Sequence, residues 1–382
     1  MSKLNLIATS SFGMESVAAD ELRDLGYTDL KISNGRVDFT GDETDIAKCN
    51  IRLRCSERVL LKMAEFPALD FEELFQGTLA VPWEKFIPVN GYMHVTGKSV
   101  KSQLFSVPDC QAIVKKAVVE SMKRMHNINL FPEDGAHYKI EISMLNDMAV
   151  LSLDTSGNGL HKRGYRLAKG EAPLRETLAA GILRLSRWNP RRIFADPLCG
   201  SGTIAIEAAM LARNIAPGLL REFAAEEWEF IPGKIWKTAR EEASDLIKDS
   251  DCTIFASDID AGVFDAARDN AARAGVEKNI IFQRKPVEEF SSAKSGGCIV
   301  TNPPYGERLS DISHAAELYK VLGSIFNSLD EWSYFILSSH EEFAKNFGRK
   351  PDKNRKLYNG KIKTYLYSYY GNYTGKKRGE KS

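Results

Sequence analysis

Two rhythms of apolar positions run along the chain, and they change near residue 157. Before it, stretches of period two are mixed with stretches of three-to-four spacing, which predicts strands and helices in no fixed order. Residues 4–9 read as a strand. Residues 14–25 read as a helix with Val17, Ala18, Leu22 and Leu25 on its inner side and Gly26 closing it. Residues 30–33 and 36–39 flank Asn34 and Gly35, a two-residue hairpin signal. Helices are expected at 44–54 and 71–79, and strands at 58–66 and 92–100. Residues 109–125 form the best helix: Ile113, Val114, Ala117, Val118 and Met122 face inward, and Lys115, Lys116, Lys123 and Arg124 face outward. A hairpin over 138–144 and 149–155, turning at Asn146 and Asp147, ends this part. No long βαβ rhythm occurs, so an α+β region is expected.

Gly157, Gly159, Gly164 and Gly170 mark the joint. Residues 160–166 there are basic and carry Tyr165. This suits either nucleic-acid contact or a polar linker. His161, beside Lys162 and Arg163, reads as a surface residue rather than a catalytic one. A helix follows over 172–187, with Pro173 in its first turn and Leu174, Leu178, Ile182 and Leu185 on one side. Buried-strand runs at 193–195, 253–257, 279–284, 298–300 and 332–337 then alternate with helices at 203–213, 261–274 and 318–329. That rhythm predicts an α/β domain with a mostly parallel sheet. Strands at 355–358 and 363–370, joined at Asn359 and Gly360, add a terminal antiparallel hairpin. Residues 215–251 interrupt the series. With Trp228, Phe230 and Trp236 they read as an insertion packed by its aromatics, with a helix at 234–248.

Composition narrows this picture. At 382 residues the chain exceeds one ordinary core, and 43% hydrophobic with 27% charged residues is a soluble, globular balance. No apolar run has membrane length, and the first residues enter a strand without a secretion signal. The six cysteines are scattered with no Cys-x-x-Cys pair, so no metal site and no disulfide framework is expected, and a reducing cytoplasm is. A net charge of +1 announces no polyanion partner, so any nucleic-acid surface must be local. Lys98, Lys101, Lys115, Lys116, Lys123 and Arg124 are candidates for phosphate contact, or else a solvated face. Arg349, Lys350, Lys353, Arg355 and Lys356 form a second basic run. Residues 374–382 are basic, lack apolar residues and are expected to be disordered.

Two stretches carry candidate chemistry. At the end of the strand at 298–300, Asn302, Pro303, Pro304 and Tyr305 stop the sheet, because neither proline has an N–H to donate. What remains is a stiff loop with an amide, unpaired carbonyls and a ring. An acceptor on Asn302 and the Pro303 carbonyl could take the N–H groups of an exocyclic base amine, and Tyr305 could stack on an extruded base. The other stretch is Asp196, Pro197, Leu198, Cys199, Gly200, Ser201, Gly202 and Thr203, a strand–turn–helix signature. Gly200-x-Gly202-x-x-Ala205 formally fits a dinucleotide fingerprint, which alone is a weak signal. Asp196 would repel a pyrophosphate and attract a cation. S-adenosylmethionine offers an ammonium and a sulfonium, and its carboxylate could sit on the helix N-terminus. Asp258, ending the next strand, could accept both ribose hydroxyls, with Ile259 beside it and Asp260 capping the next helix. Glu288 or Glu289 is a candidate for the adenine amine; each is equally a solvated acid.

The stretch from Asp196 to Ala209, the run from Ser257 to Asp260, and the run from Thr301 through Tyr305, Gly306 and Glu307 to Arg308 together resemble the bacterial RlmL-type RNA methyltransferases. The first part resembles a ferredoxin-like piece followed by a THUMP domain. The resemblance implies three parts: residues 1–44 ferredoxin-like, 45–156 THUMP, and 157–382 an α/β Rossmann-like methyltransferase domain. It implies methyl transfer from S-adenosylmethionine to the N2 amine of a guanosine in large-subunit ribosomal RNA. It assigns Asp196, Gly200, Gly202 and Asp258 to the cofactor and Asn302 to Tyr305 to the base. The second methyltransferase domain fused in some members is not expected within these residues. Lys285 and Pro286 stand where an acid is common, which leaves the adenine contact open. Adenine-N6 methylation, or RNA binding without catalysis, are the other readings.

Overall fold

The computed structural model describes residues 3–166, 174–305 and 309–371, without the side chains of 309–313. Residues Gly170, Ala172 and Pro173, the motif positions Gly306, Glu307 and Arg308, and the basic tail at 374–382 lie outside the described residues. The chain divides into two units that interleave in sequence. The first comprises Met1–Ser10, Ala18–Leu160 and Arg221–Asp245; the second comprises Ser11–Val17, His161–Leu220 and Leu246–Ser382.

The first unit is built on one seven-stranded sheet. Its strands are β1 (Leu4–Thr9), β2 (Lys31–Ser33), β3 (Arg36–Gly41), β4 (Arg58–Pro67), β5 (Tyr92–Val100), β6 (His137–Leu145) and β7 (Met148–Asp154), in the spatial order β2-β3-β1-β4-β7-β6-β5. All neighbours are antiparallel except β5 and β6. Helices α1 (Glu15–Asp24), α2 (Glu43–Arg52), α3 (Phe71–Leu79) and α4 (Val107–His126) fall where the apolar spacing predicts them, within two residues at each end. A buried polar knot pins α2 to the sheet. The Asn50 amide donates to Thr155 Oγ1 at 2.8 Å and accepts from Ser156 at 2.6 Å, and Thr155 donates to the Val59 carbonyl at 2.7 Å. The segment Arg221–Asp245 is grouped here, including α7 (Gly233–Asp245). Trp228 donates its indole N–H to the His137 carbonyl at 3.1 Å and stacks on Tyr138 with centroids 5.0 Å apart.

The second unit carries β8 (Phe194–Asp196), β9 (Ile254–Asp258), β10 (Ile280–Arg284), β11 (Cys298–Thr301), β12 (Ser333–Ser338), β13 (Lys353–Asn359) and β14 (Ile362–Tyr369), ordered β10-β9-β8-β11-β12-β14-β13. The first five in that order are parallel, and β14 is antiparallel to both neighbours. Asp196, Asp258, Thr301 and Ser338 therefore end their strands at one edge of the sheet. The strand order reverses between β8 and β11, which opens a crevice at that edge. At the opposite edge Arg192, 9% exposed, clamps the strand starts: it donates to the Gly296 and Gly297 carbonyls and to Ser333 Oγ.

Helices α6 (Thr203–Ala212) and α8 (Ala261–Arg273) follow the predicted pattern. Helix α5 (Glu176–Ser186) starts later than the expected residue 172, with Arg175 as its N-cap and Leu174 outside it. Two further elements differ. Helix α9 (Leu309–Asn327) begins well before residue 318. Polar residues in its first turns hide the spacing of Ile312, Ala315, Tyr319 and Leu322, which is helical throughout. A single-turn helix, α10 (Phe343–Asn346), is too short to show a period. In the terminal hairpin Asn359 still pairs with Ile362, so the turn falls at Gly360 and Lys361, one residue later than expected. Helices α9 and α10 cover an aromatic core of Tyr319, Phe326, Tyr334, Phe343, Phe347 and Tyr369.

Gly323 sets how closely α9 approaches the turn after α10: a Cβ there would lie 2.0 Å from the Phe347 carbonyl oxygen. The contact is with backbone, which cannot rotate away. Gly323→Ala is expected to destabilise this unit by about 1–3 kcal/mol. The readout is a lower urea midpoint at unchanged slope; an unchanged midpoint would show that the helix shifts freely.

Candidate active site

Asp196 ends β8 and is 1% exposed. Its Oδ1 accepts from the Thr301 hydroxyl, at the tip of β11, at 2.8 Å. Burial pushes the Asp196 carboxyl up to about 7. The Thr301 hydroxyl and the Leu198 backbone N–H favour the charged form, and nearby Asp258 opposes it. This buried acid therefore favours a cation as neighbour.

The turn after it runs through Gly200 and Gly202, with φ of +51° and +82°, conformations that side chains other than glycine rarely adopt. A Cβ on Gly202 would press on Ala267 of α8 at 3.1 Å, whereas one on Gly200 would meet no heavy atom within 4 Å. Space is open at Gly200, on the side where a ligand can approach. The Gly200 N–H donates to Asp258 Oδ2 at 2.9 Å, and the Asp260 N–H donates to Oδ1 at 3.0 Å. These two bonds orient the Asp258 carboxylate and leave each oxygen a further lone pair for a hydroxyl. Asp260 caps α8 as expected, accepting from Gly262 and Val263. Pro197 and Thr203 are buried, Ser201 is half-buried, and Ile259 is 63% exposed beside Asp258. Glu288 and Glu289 are both exposed, in a single turn beyond β10. The donor set fits a ligand with a ribose diol and a cationic arm.

The loop after β11 presents its four residues differently. Asn302 precedes a proline, which disfavours helical backbone there. Asn302 and Tyr305 are half-buried, Pro303 is buried and Pro304 is exposed. The Tyr305 hydroxyl donates to Asn302 Oδ1. The Pro304 carbonyl accepts from the Tyr319 hydroxyl at 2.8 Å, and that hydroxyl lies 3.2 Å from Ser338 Oγ. Tyr319 is fully buried on α9, and Ser338 ends β12.

Four supporting residues have no motif in the sequence. Tyr319 and Ser338 brace the proline loop, Asn270 donates to the Ser201 carbonyl at 3.1 Å, and Arg166 donates to Thr203 Oγ1. For Asn270 and Arg166 a signal existed: a polar residue on the inner face of α8, and a basic residue before the glycine turn. In the first unit, Lys98 pairs with Glu141 at 2.9 Å, Lys115 with Glu133 at 2.5 Å and Arg124 with Glu120 at 3.5 Å. Those candidate phosphate contacts are therefore partly neutralised. Among the described residues no cluster of three or more His, Cys, Asp or Glu could hold a metal, and no helix is long and apolar enough to cross a membrane.

A sheet of this order with a glycine turn and two acids at its switch point is that of the Rossmann-like α/β class. The chain belongs to the RMKL-like methyltransferase family, whose methyltransferase-domain model matches residues 163–368. Models of the RlmL ferredoxin-like domain and the THUMP domain match residues 5–60 and 68–154. The chain is 49% identical, over 97% of both proteins, to a Bacillus subtilis (strain 168) protein named "Putative RNA methyltransferase YpsC". It is 34% identical over 96% of its length to "Ribosomal RNA large subunit methyltransferase K/L" of Psychromonas ingrahamii. It covers 50% of that protein and so spans about half its length. Among solved structures, one from Listeria monocytogenes described as a "predicted N6-adenine-specific DNA methylase" is 46% identical, with a TM-score of 0.92 and 97% of each chain covered. Another, "SMU.472, a putative methyltransferase complexed with SAH", is 43% identical, with a TM-score of 0.91, covering 98% of this chain and 100% of that one.

The raised carboxyl of Asp196 has a sign that can be measured. Its folded value of about 7 lies above the ordinary 3.8. The unfolded chain therefore loses this proton first, and stability falls as pH rises from about 4 to 7, then levels off. The gap is worth on the order of 4 kcal/mol. Asp196→Asn keeps an acceptor for Thr301 and should be progressively more stable than the parent across that window, by chemical denaturation without ligand. A constant difference between pH 4 and 8 would show that the acid is not raised.

Proposed function

We propose that this chain is an RNA methyltransferase that transfers a methyl group from S-adenosylmethionine to the exocyclic N2 amine of a guanosine, in large-subunit ribosomal RNA. The observation that carries this reading is the placing of the Asn302 loop directly after Thr301, whose hydroxyl is bonded to Asp196. The THUMP match and the name of the longer K/L relative support an RNA substrate.

The donor brings a methyl group already activated on a sulfonium. The chain's residues therefore bind, orient and exclude water. Asp258 accepts the ribose hydroxyls and Ile259 offers an apolar face beside them. Pro197, Gly200, Ser201, Gly202 and Thr203 form the turn that receives the methionyl end, with Asp196 as its acid and Glu288 at the adenine side. Asn302 Oδ1 has one lone pair engaged by Tyr305 and keeps another for an N–H of the target amine. With the Pro303 carbonyl, it holds the amine so that its nitrogen lone pair faces the donor. The prolines fix these acceptors in advance, so catalysis comes from positioning. Tyr305 presents a ring to the base. Tyr319 acts through Pro304 and is a positioning residue.

Purified protein, labelled donor and unmodified large-subunit ribosomal RNA, transfer RNA or DNA test this by identification of the labelled nucleoside. N2-methylguanosine in ribosomal RNA is the expected product. N6-methyladenine would replace the guanine reading, and RNA binding without transfer would favour a non-catalytic role. Asn302→Ala is expected to lower kcat by about two orders of magnitude, roughly 3 kcal/mol, with product-cofactor affinity unchanged by calorimetry. Equal turnover would remove Asn302 from the chemistry. Tyr319→Phe, which deletes only the hydroxyl, is expected to lower kcat by about five- to tenfold, the worth of one neutral hydrogen bond, at unchanged KM for the donor. An unchanged kcat would show that the loop holds itself.

A further inference from the structure

We propose that the outer hairpin β13–β14, together with Phe12, is a docking strip for single-stranded RNA flanking the target nucleotide. The inference rests on the RNA reading above and extends it to a surface of the methyltransferase unit itself.

Charge comes first. Between Lys353 and Tyr370 the chain has five basic residues (Lys353, Arg355, Lys356, Lys361 and Lys363) and no Asp or Glu, in a protein of net charge +1. Among the described residues no carboxylate forms an ion pair with any of the five; the nearest pair in sequence is Arg349 with Asp352. Such a block on a strand at the sheet edge is a local polyanion surface.

The arrangement is specific. Lys356 pairs with Tyr365 across the hairpin, and Tyr358 pairs with Lys363. Directly opposite residues share a face, so the two lysines and two tyrosines form a checkerboard. The Lys356 ammonium lies 5.4 Å from the Tyr358 ring centroid, and that of Lys363 lies 5.5 Å from Tyr365. Phe12, 52% exposed, stands edge-on to Tyr358 with centroids 6.0 Å apart. Cations alternating with rings match a strand whose phosphates alternate with unstacked bases. An acidic protein partner would use the charges and leave the rings without a role.

The strip also leads to the reacting loop. Tyr365 pairs with Ser338 in the register of β12 and β14. Ser338 Oγ lies 3.2 Å from the Tyr319 hydroxyl, which donates to the Pro304 carbonyl. Because β14 is antiparallel to β12, its first residues lie at the edge where Asp196, Asp258 and Thr301 end their strands. A strand whose target base enters the Asn302 loop would pass its neighbouring nucleotides over this hairpin.

The test is fluorescence anisotropy of the full chain with a fluorescein-labelled 12-nucleotide oligouridylate, and with large-subunit ribosomal RNA transcribed in vitro, over a salt series. The doubly substituted Lys356→Ala, Lys363→Ala protein should bind the oligonucleotide roughly tenfold more weakly, with a salt slope shallower by about 1.4. Tyr358→Ala should weaken binding about tenfold at an unchanged slope. Lys356→Arg with Lys363→Arg should retain parental binding, and all variants should keep parental affinity for S-adenosylhomocysteine, which separates a surface effect from misfolding. Unchanged affinity and slope in the alanine variants would overturn the proposal. So would a parent protein that binds no RNA, or a loss confined to an acidic peptide used as competitor. Strip-dependent binding without methyl transfer would uphold the strip and defeat the catalytic reading; transfer with the same KM for RNA in parent and variants would do the reverse.

Discussion

The hydrogen bond from Thr301 to Asp196 joins the tips of β8 and β11 where the strand order reverses. A crevice is open at that point because neighbouring connections leave in opposite directions. Without a cross-strand tie, its two walls would be set only by the sheet behind them. The bond fixes the acid on one wall relative to the first residue of the proline loop on the other. Both partners are buried, so water does not compete for either. Burial, against the pull of this bond, makes ionisation of the acid costly unless a cation stands beside it.

Rigidity of the proline loop comes from a different source. Pro303 and Pro304 remove backbone freedom, and the Tyr319 hydroxyl fixes the Pro304 carbonyl against α9 and β12. Helix α9 is held in turn by close backbone approach at Gly323 and by the aromatic core beneath it. Positioning at the loop is thus inherited from packing more than ten residues away in sequence. The polar groups that do the proposed work are few, and the apolar residues that hold them are many.

Most strands and helices were legible, because their apolar positions follow one period across the whole element. The start of helix α9 is hidden where Ser310, Asp311, Ser313 and His314 interrupt the pattern, and α10 is a single turn. The segments proposed to bear the chemistry are legible for another reason. Glycines at positive φ and paired prolines break local rules, and a broken rule is visible in a sequence. The bracing residues Tyr319 and Ser338 break none, so nothing marks them until the fold brings them to the loop. The same holds for the checkerboard on β13 and β14: its basic residues stood out, but the pairing of each lysine with a tyrosine depends on register. The grouping of residues 221–245 with the first unit was not legible either, since tertiary contacts decide where an interrupting segment packs.

Where the methyl donor lodges relative to the acids and the proline loop decides the proposed mechanism. A crystal structure with S-adenosylhomocysteine tests that directly. Ribose hydroxyls on the Asp258 carboxylate, the amino-acid arm over the Gly200 turn and sulfur facing Asn302 are expected. Density for the ligand at any other place, or with its sulfur turned away from Asn302, would contradict that mechanism.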